Sequence, residues 1–131
     1  MSFFGKTYVY EGHEKFDEFL KSAGLPDEEV AKYLQAKPTS KVEKDGDSYV
    51  YTTVSPGGPK VVKFQSGVEF DDTLRGGPIK TVYTVDGNKI TQVIKSDKGT
   101  GTFVREYSDD KLVVTITSST WDGTAKTFYK V

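Results

Sequence analysis

The chain of 131 residues has no cysteine, one histidine and no long apolar run. Without cysteine it forms neither disulfides nor thiolate metal sites, and His13 alone cannot build a multi-histidine metal site. The segment Gly99-Thr100-Gly101 lacks the third glycine of a dinucleotide-binding loop. We therefore expect no metal and no cofactor.

No apolar segment reaches the roughly 18 residues that a membrane-spanning helix needs, and the first residues do not resemble a secretion signal. Charge of one sign is also lacking, because 18 basic residues are scattered among 19 acidic ones. No basic stripe exists that could follow a phosphate backbone, so nucleic acid is not an expected partner. These features predict a soluble protein of the cytoplasm.

What the chain does have, from Lys41 to its end, is alternation of apolar and polar residues in segments of six to eight residues. Clear examples are Ile79 to Val85, Lys89 to Lys95 and Leu112 to Ser118. Such alternation predicts half-buried antiparallel strands. Each segment ends at a turn signal, and these signals are centred near Gly46, Gly57, Gly76, Gly87, Lys98, Asp109 and Asp122.

About ten strands result, beginning with Lys6 to Glu11. An open sheet of this size would expose two edges, so we predict that it closes. The expected fold is therefore mainly β, a ten-stranded antiparallel up-and-down barrel that forms a single domain over residues 1–131. A barrel of this width cannot be filled by its own side chains, so it should contain a cavity.

One stretch, at about residues 14–35, breaks the alternation and predicts two short helices. Apolar residues recur there at helical spacing, at Phe16, Phe19, Leu20 and Ala23. Gly24 can end the first helix, Pro26 fits the first position of the second, and Lys37-Pro38 stops it. This helical hairpin would form a lid over the barrel.

Short motifs distributed over the whole chain resemble those of the cytosolic fatty-acid-binding proteins of the intracellular lipid-binding family, and are nearest in character to the insect gut members. They are Gly5-Lys6, Phe16 to Lys21, Lys37-Pro38-Thr39, Asp45-Gly46-Asp47, Phe64, Gly67 to Asp71, Val85-Asp86-Gly87, Val104-Arg105-Glu106 and Lys111-Leu112. The resemblance implies a monomeric, non-enzymatic carrier that holds one long-chain fatty acid inside the barrel and makes at most transient contact with membranes.

Members of this family hold the ligand carboxylate with an inward arginine on the eighth strand and an Arg-x-Tyr pair on the last strand. Arg105 matches the first position, and Tyr129 matches the tyrosine of the pair. A desolvated carboxylate needs such a charged partner with several donors. At the position of the second arginine this chain has Thr127, which makes a neutral head group more plausible than for a typical member.

The last strand allows two registers. In one, Ala125, Thr127 and Tyr129 face inward and Lys126 faces water; in the other, Lys126 and Phe128 face inward. We favour the first register, because it leaves the lysines solvated. The ligand head group would then lie at Arg105, Tyr129 and Thr127.

The resemblance also implies a set of cavity-lining positions, for whose apolar members ordinary core packing is the alternative: Phe16, Ser40, Tyr51, Thr53, Phe64, Gln92, Val114 and Ile116. Three other functions remain open. The first is a carrier of a retinoid, sterol or other less acidic lipid. The second is an interaction module with a filled interior, and the third is an enzyme on a similar barrel. Against the enzyme, the sequence shows no combination of nucleophile, base and orienting group.

Overall fold

The structure is a computed structural model, and it describes residues 3–55, 58–74, 77–97 and 99–131. Two helices, α1 (Phe16–Ser22) and α2 (Asp27–Gln35), follow the first strand. The strands are β1 (Tyr8–Glu14), β2 (Thr39–Asp45), β3 (Ser48–Ser55), β4 (Gly58–Phe64), β5 (Phe70–Leu74), β6 (Gly77–Asp86), β7 (Lys89–Ser96), β8 (Gly99–Tyr107), β9 (Lys111–Ser118) and β10 (Trp121–Lys130).

The ten strands form one antiparallel sheet in the order β4-β3-β2-β1-β10-β9-β8-β7-β6-β5. Strands that follow one another in sequence are neighbours, except β4 and β5, and β1 pairs with β10, which joins the two ends of the chain. The sheet curls into a barrel beside the two helices. The predicted fold class, a mainly β antiparallel barrel with a helical hairpin, is confirmed.

The hydrogen-bond ladder of the described residues does not run between β4 and β5, which are the two outer strands of the sheet. Contacts from neighbouring segments bridge this gap instead. The rings of Phe64 and Tyr83 stack with their centroids 4.4 Å apart, and Gly67 donates its backbone N–H to the Tyr83 carbonyl at 2.8 Å. Lys60 Nζ lies 3.9 Å from a carboxylate oxygen of Asp72. The barrel is thus closed partly by side chains, which cover strand edges that would otherwise be bare.

Inward side chains alternate along the strands as the sequence pattern predicts. On β9, for example, Leu112, Val114 and Ile116 are buried, while Thr117 is exposed. The strand boundaries of β6, β7 and β9 agree with their predictions to within two residues. Gly87 has a φ of +61°, the left-handed conformation that a two-residue hairpin turn requires. The predicted turn centres at residues 56–57, 75–76 and 98 lie outside the described residues.

The helical hairpin is held by its own small core and by aromatic contacts with the barrel. Gly24, with a φ of +88°, donates its N–H to Lys21, and Leu25 donates to Leu20, so α1 ends in the glycine-dependent motif expected. The rings of Phe19 and Trp121 lie 5.9 Å apart. Neither helix within the described ranges is long and apolar enough to cross a bilayer.

The opposite end of the barrel is plugged by the N-terminal segment. Phe3 is buried, and its ring stacks on Tyr107 at 4.0 Å. Gly5 donates its N–H to the carbonyl of Val42 at 2.8 Å, which fixes the segment against β2. The barrel therefore has a packed aromatic floor and a helical roof.

Two local predictions were wrong by a few residues. The first strand runs over Tyr8–Glu14 and not over Lys6 to Glu11, because β1 pairs with β10 as far as Glu14, opposite Lys126. His13 consequently lies in this strand. Pro26 is the N-cap of α2 and not its first helical residue, because its carbonyl accepts the first helical hydrogen bonds, from Glu29 and Val30 at 3.0 Å.

Candidate ligand-binding cavity

A cavity of about 740 Å³ lies between the helical roof and the inner faces of the strands. Its wall combines residues of both helices with residues of β1, β3, β8, β9 and β10. A cavity of this size is within the range of pockets that enclose a small hydrophobic ligand. The expectation of an internal cavity is therefore confirmed.

Arg105 is the buried cation of this cavity. Its side chain extends inward from β8, the residue is 8% exposed, and Nη2 donates a hydrogen bond to Gln92 Oε1 at 2.9 Å. The guanidinium carbon lies 5.0 Å from the ring centroid of Tyr51, 5.7 Å from that of Phe103 and 5.9 Å from that of Tyr83. These aromatic faces partly compensate the lost hydration of the cation.

Three buried polar atoms of the described residues have no hydrogen-bond partner within 3.5 Å: Ser40 Oγ, Arg105 Nη1 and the Tyr107 hydroxyl. No carboxylate of the described chain forms an ion pair with Arg105. Buried donors that lack a partner are rare in folded proteins, and a buried unpaired charge is rarer still. This end of the cavity is therefore suited to an anionic group supplied by a ligand.

The phenols near Arg105 differ in how their environment affects ionisation. Burial raises the pKa of Tyr129 to about 12 and that of Tyr83 to about 12. Burial also opposes ionisation of Tyr51, but the adjacent Arg105 guanidinium favours the phenolate, and the net effect lowers the pKa of Tyr51. Tyr129 is thus a neutral hydroxyl donor at physiological pH, which suits a carboxylate acceptor.

The last strand adopts the first of the two registers considered from the sequence. Thr127 is 4% exposed and lies on the cavity wall together with Tyr129, whereas Lys126 does not line the cavity. Thr127 pairs with Val114 of β9, which in turn pairs with Arg105 of β8. Thr127 and Arg105 therefore lie in one row on the inner face, two strands or roughly 10 Å apart.

The mouth of the cavity is formed mainly by α2, which contributes Lys32, Tyr33 and Gln35, and by Ala36, which follows the helix. Lys32 and Tyr33 are exposed, so the cavity has a second cation, but a solvated one. Tyr10 lines the wall from β1, and its hydroxyl lies 2.8 Å from Nδ1 of His13. The roof helices thus provide an amphipathic rim above an apolar and aromatic interior.

Of the residues that the sequence placed at the head group or along the cavity, eight line its wall: Phe16, Tyr51, Thr53, Arg105, Val114, Ile116, Thr127 and Tyr129. Ser40, Phe64 and Gln92 are buried but are not part of the wall. Phe64 stacks on Tyr83, and Gln92 lies behind Arg105 as its hydrogen-bond acceptor.

Sequence reasoning did not identify the other wall residues, which include Tyr10, Phe103, Leu112 and those of α2. Alternation could have suggested Phe103 and Leu112, because they lie two residues from Arg105 and Val114 on the same strand faces. The residues of α2 carry no such signal. Their position depends on how the helix is placed over the barrel.

A ten-stranded barrel around a cavity with a buried, unpaired arginine defines a protein that encloses a ligand with a polar head and an apolar body. Residues 6–122 match the lipocalin / cytosolic fatty-acid binding protein family. The chain is 56% identical to fatty acid-binding protein 1 of Manduca sexta, with 99% of each chain covered. It therefore belongs to this family, as the motifs in the sequence implied.

Solved structures agree with this assignment. The fatty-acid-binding protein isolated from Manduca sexta superimposes with a TM-score of 0.93 at 52% identity, covering 99% of this chain and 100% of that one. A Schistosoma mansoni fatty acid binding protein in complex with arachidonic acid gives a TM-score of 0.89 at 28% identity, covering 98% of this chain and 94% of that one.

Proposed function

We propose that this protein is a non-enzymatic carrier that binds one long-chain fatty acid in its cavity, with the carboxylate at Arg105 and Tyr129 and with Thr127 beside them. The observation that carries the proposal is Arg105 Nη1, a buried charged donor without a partner in the described chain. A carboxylate would supply both the missing hydrogen bond and the missing charge. The relatives named as fatty acid-binding proteins support the same ligand class.

The remainder of the wall suits an acyl chain. Phe103, Leu112, Val114 and Ile116 provide an apolar surface that begins beside Arg105. Burial of a methylene group contributes about 0.8 kcal/mol, so a long chain gains most of its affinity from this wall and its orientation from the head group. The protein would act as a monomer in the cytoplasm and make at most transient contact with membranes.

No catalytic role is part of this proposal. His13 is exposed at the rim of the barrel and contacts Tyr10, and the sequence contains no cysteine that could act as a nucleophile. The acids of the Asp71-Asp72 pair contact Lys80 and Lys60 at distances of 3.6 and 3.9 Å, as expected of solvated ion pairs.

A less acidic lipid, such as a retinoid or sterol, is the second candidate. Its support is Thr127, a neutral side chain on the wall at the position where the family has an arginine. This candidate predicts similar affinities for a fatty acid and for the alcohol of the same chain length. The main proposal predicts a clear preference for the acid.

The direct test is calorimetric titration of the delipidated protein with palmitate and with oleate. We expect saturable binding with a stoichiometry near one, because this cavity contains one buried cation among the described residues, Arg105. A barrel with a filled interior would show no saturation, and an enzyme would convert the lipid to a product detectable by mass spectrometry. Either result would contradict the proposal.

Ligand exchange should proceed through the helical roof. Residues 16–35 form two helices of seven and nine residues, which are too short to be stable without tertiary contacts. We expect amide hydrogen exchange to be faster in this segment than in β8 to β10, and to slow there when palmitate is bound. Equal exchange rates in the roof and the strands, with and without palmitate, would rule out this route.

A further inference from the structure

Behind Arg105, on the side away from the cavity wall, lies a short relay of polar side chains. Arg105 Nη2 donates to Gln92 Oε1 at 2.9 Å, and Gln92 Nε2 donates to Thr81 Oγ1 at 3.2 Å. All three residues are buried. They come from three consecutive strands, β8, β7 and β6, so the relay is built across the sheet.

The chemistry of the relay allows one orientation of the amide. A guanidinium only donates hydrogen bonds, so Gln92 must present its oxygen to Arg105. Its NH₂ group is then directed to Thr81, whose hydroxyl can accept. Thr81 thereby fixes the Gln92 amide, and Gln92 fixes one nitrogen of the guanidinium while the other, Nη1, is left without a partner.

The acceptor behind Arg105 is a neutral amide and not a carboxylate. A carboxylate there would form a buried ion pair with Arg105 and cancel its charge. The amide satisfies one donor but leaves the full positive charge available, and the lipid-free protein therefore contains a buried cation without a counter-ion among the described residues. Its aromatic neighbours, such as Tyr51 at 5.0 Å, compensate this charge only in part.

We propose that Gln92, held by Thr81, is the positioning residue that sets the specificity of the cavity for an anionic head group. It orients Arg105 without neutralising it, so the positive charge of Arg105 can pair with the carboxylate of the ligand. This inference rests on the proposed function, because it assumes that Arg105 receives the head group. It assigns to Gln92 and Thr81, neither of which lines the cavity, control over the choice between acid and alcohol.

Gln92→Glu is the decisive variant, because it keeps the size of the side chain and an acceptor oxygen while adding a counter-ion. Dissociation constants for palmitate and for 1-hexadecanol should be measured on the delipidated proteins. We expect palmitate to bind about 30-fold more weakly or worse, and 1-hexadecanol to change less than about threefold. The lipid-free variant should unfold at a higher temperature, because the introduced carboxylate pairs the buried charge.

Gln65→Glu is the matched control, since it introduces the same group at an exposed position. It should leave both dissociation constants unchanged. Thr81→Val and Thr81→Ser provide an independent pair if Gln92→Glu does not fold. Loss of the hydroxyl should weaken palmitate binding by about threefold to tenfold, whereas Thr81→Ser keeps a hydroxyl and should restore the wild-type preference for acid over alcohol.

Parallel measurement of Arg105→Gln separates the two hypotheses. If Arg105→Gln weakens palmitate binding but Gln92→Glu does not, the head group does bind Arg105 and the positioning role of Gln92 is wrong. If neither variant affects palmitate, the head group lies elsewhere, and the proposed carboxylate site is wrong together with this inference. Equal losses for palmitate and 1-hexadecanol in Gln92→Glu would indicate a purely structural role and would also overturn the inference.

Discussion

Arg105→Gln should weaken the binding of palmitate by about 2–4 kcal/mol. Arg105 is 8% exposed and its guanidinium has a nitrogen without a partner, so a carboxylate bound there would exchange its hydration for a charge-assisted hydrogen bond. Glutamine keeps a polar group but removes the charge and most of the donors. The dissociation constant should be measured by calorimetry on the delipidated variant, beside that for 1-hexadecanol, which should change little.

Lys32→Gln is the matched control for this substitution. Lys32 also lines the cavity, but it is exposed at the mouth, where water screens its charge. Its loss should change palmitate affinity by less than about 0.5 kcal/mol. A larger effect of Lys32→Gln than of Arg105→Gln would place the carboxylate at the mouth of the cavity, with the acyl chain directed inward.

Arg105→Gln should also stabilise the lipid-free protein. Arg105 is a buried charge without a counter-ion in the described chain, and replacing such a charge by a neutral group removes a desolvation penalty. We expect a higher midpoint of thermal unfolding for lipid-free Arg105→Gln and a smaller increase on adding palmitate than in the wild type. On the proposed function, the same buried charge that would strengthen ligand binding lowers the stability of the lipid-free protein.

The strands and the fold class could be predicted because their signals are local. Alternation assigns Leu112, Val114 and Ile116 to one face without knowledge of any partner strand, and glycine in the left-handed conformation fixes the tight turn at Gly87. The end of α1 could also be predicted from the sequence, since Gly24 and its hydrogen bond to Lys21 depend only on neighbouring residues.

The interruption between β4 and β5 could not be predicted from alternation. Each outer strand has the same pattern whether or not it pairs, and the contacts that bridge them, such as Phe64 with Tyr83, join residues of strands that are not neighbours in the sheet. The packing of Phe3 against Tyr107 has the same character, because it joins the N-terminus to the end of β8. Such contacts are set by the closed barrel as a whole.

The candidate site could be predicted from the sequence only in part, for the same reason. Arg105 and Tyr129 could be identified through the family motif, and alternation favoured the register that faces Thr127 inward. The relay from Arg105 to Gln92 and Thr81 could not, because it depends on the register between three strands. A buried glutamine on a predicted strand suggests a polar partner, but the sequence does not show which partner it is.

Thr127→Arg should have the opposite effect to Arg105→Gln on both stability and affinity. Thr127 is 4% exposed and lies in the same cross-strand row as Arg105, with Val114 between them. At a spacing of roughly 10 Å, a second guanidinium can reach a carboxylate bound to the first. Without lipid the two buried cations repel each other, so the free energy of unfolding should fall by about 3 kcal/mol.

Palmitate should reverse this loss. A carboxylate between two guanidinium groups is stabilised by both, so we expect affinity for palmitate to rise at least tenfold, about 1.4 kcal/mol, while affinity for 1-hexadecanol falls or stays constant. The increase in the unfolding midpoint on adding palmitate should accordingly exceed that of the wild type. Differential scanning calorimetry with and without lipid measures both effects in one experiment.

Two variants at β10 residues that do not line the cavity test whether the inward position of residue 127 is the cause. Thr124→Arg adds the same side chain to β10 at an exposed position. Lys126→Ala removes a cation next to Thr127 in the sequence, at a residue that does not line the cavity. Both should change stability and affinity by less than about 0.5 kcal/mol. If Lys126→Ala abolished the preference for the acid while Thr127→Arg had no effect, Lys126 would be the buried anchor and the last strand would be shifted by one residue, because a shift of one residue exchanges the two faces of a strand.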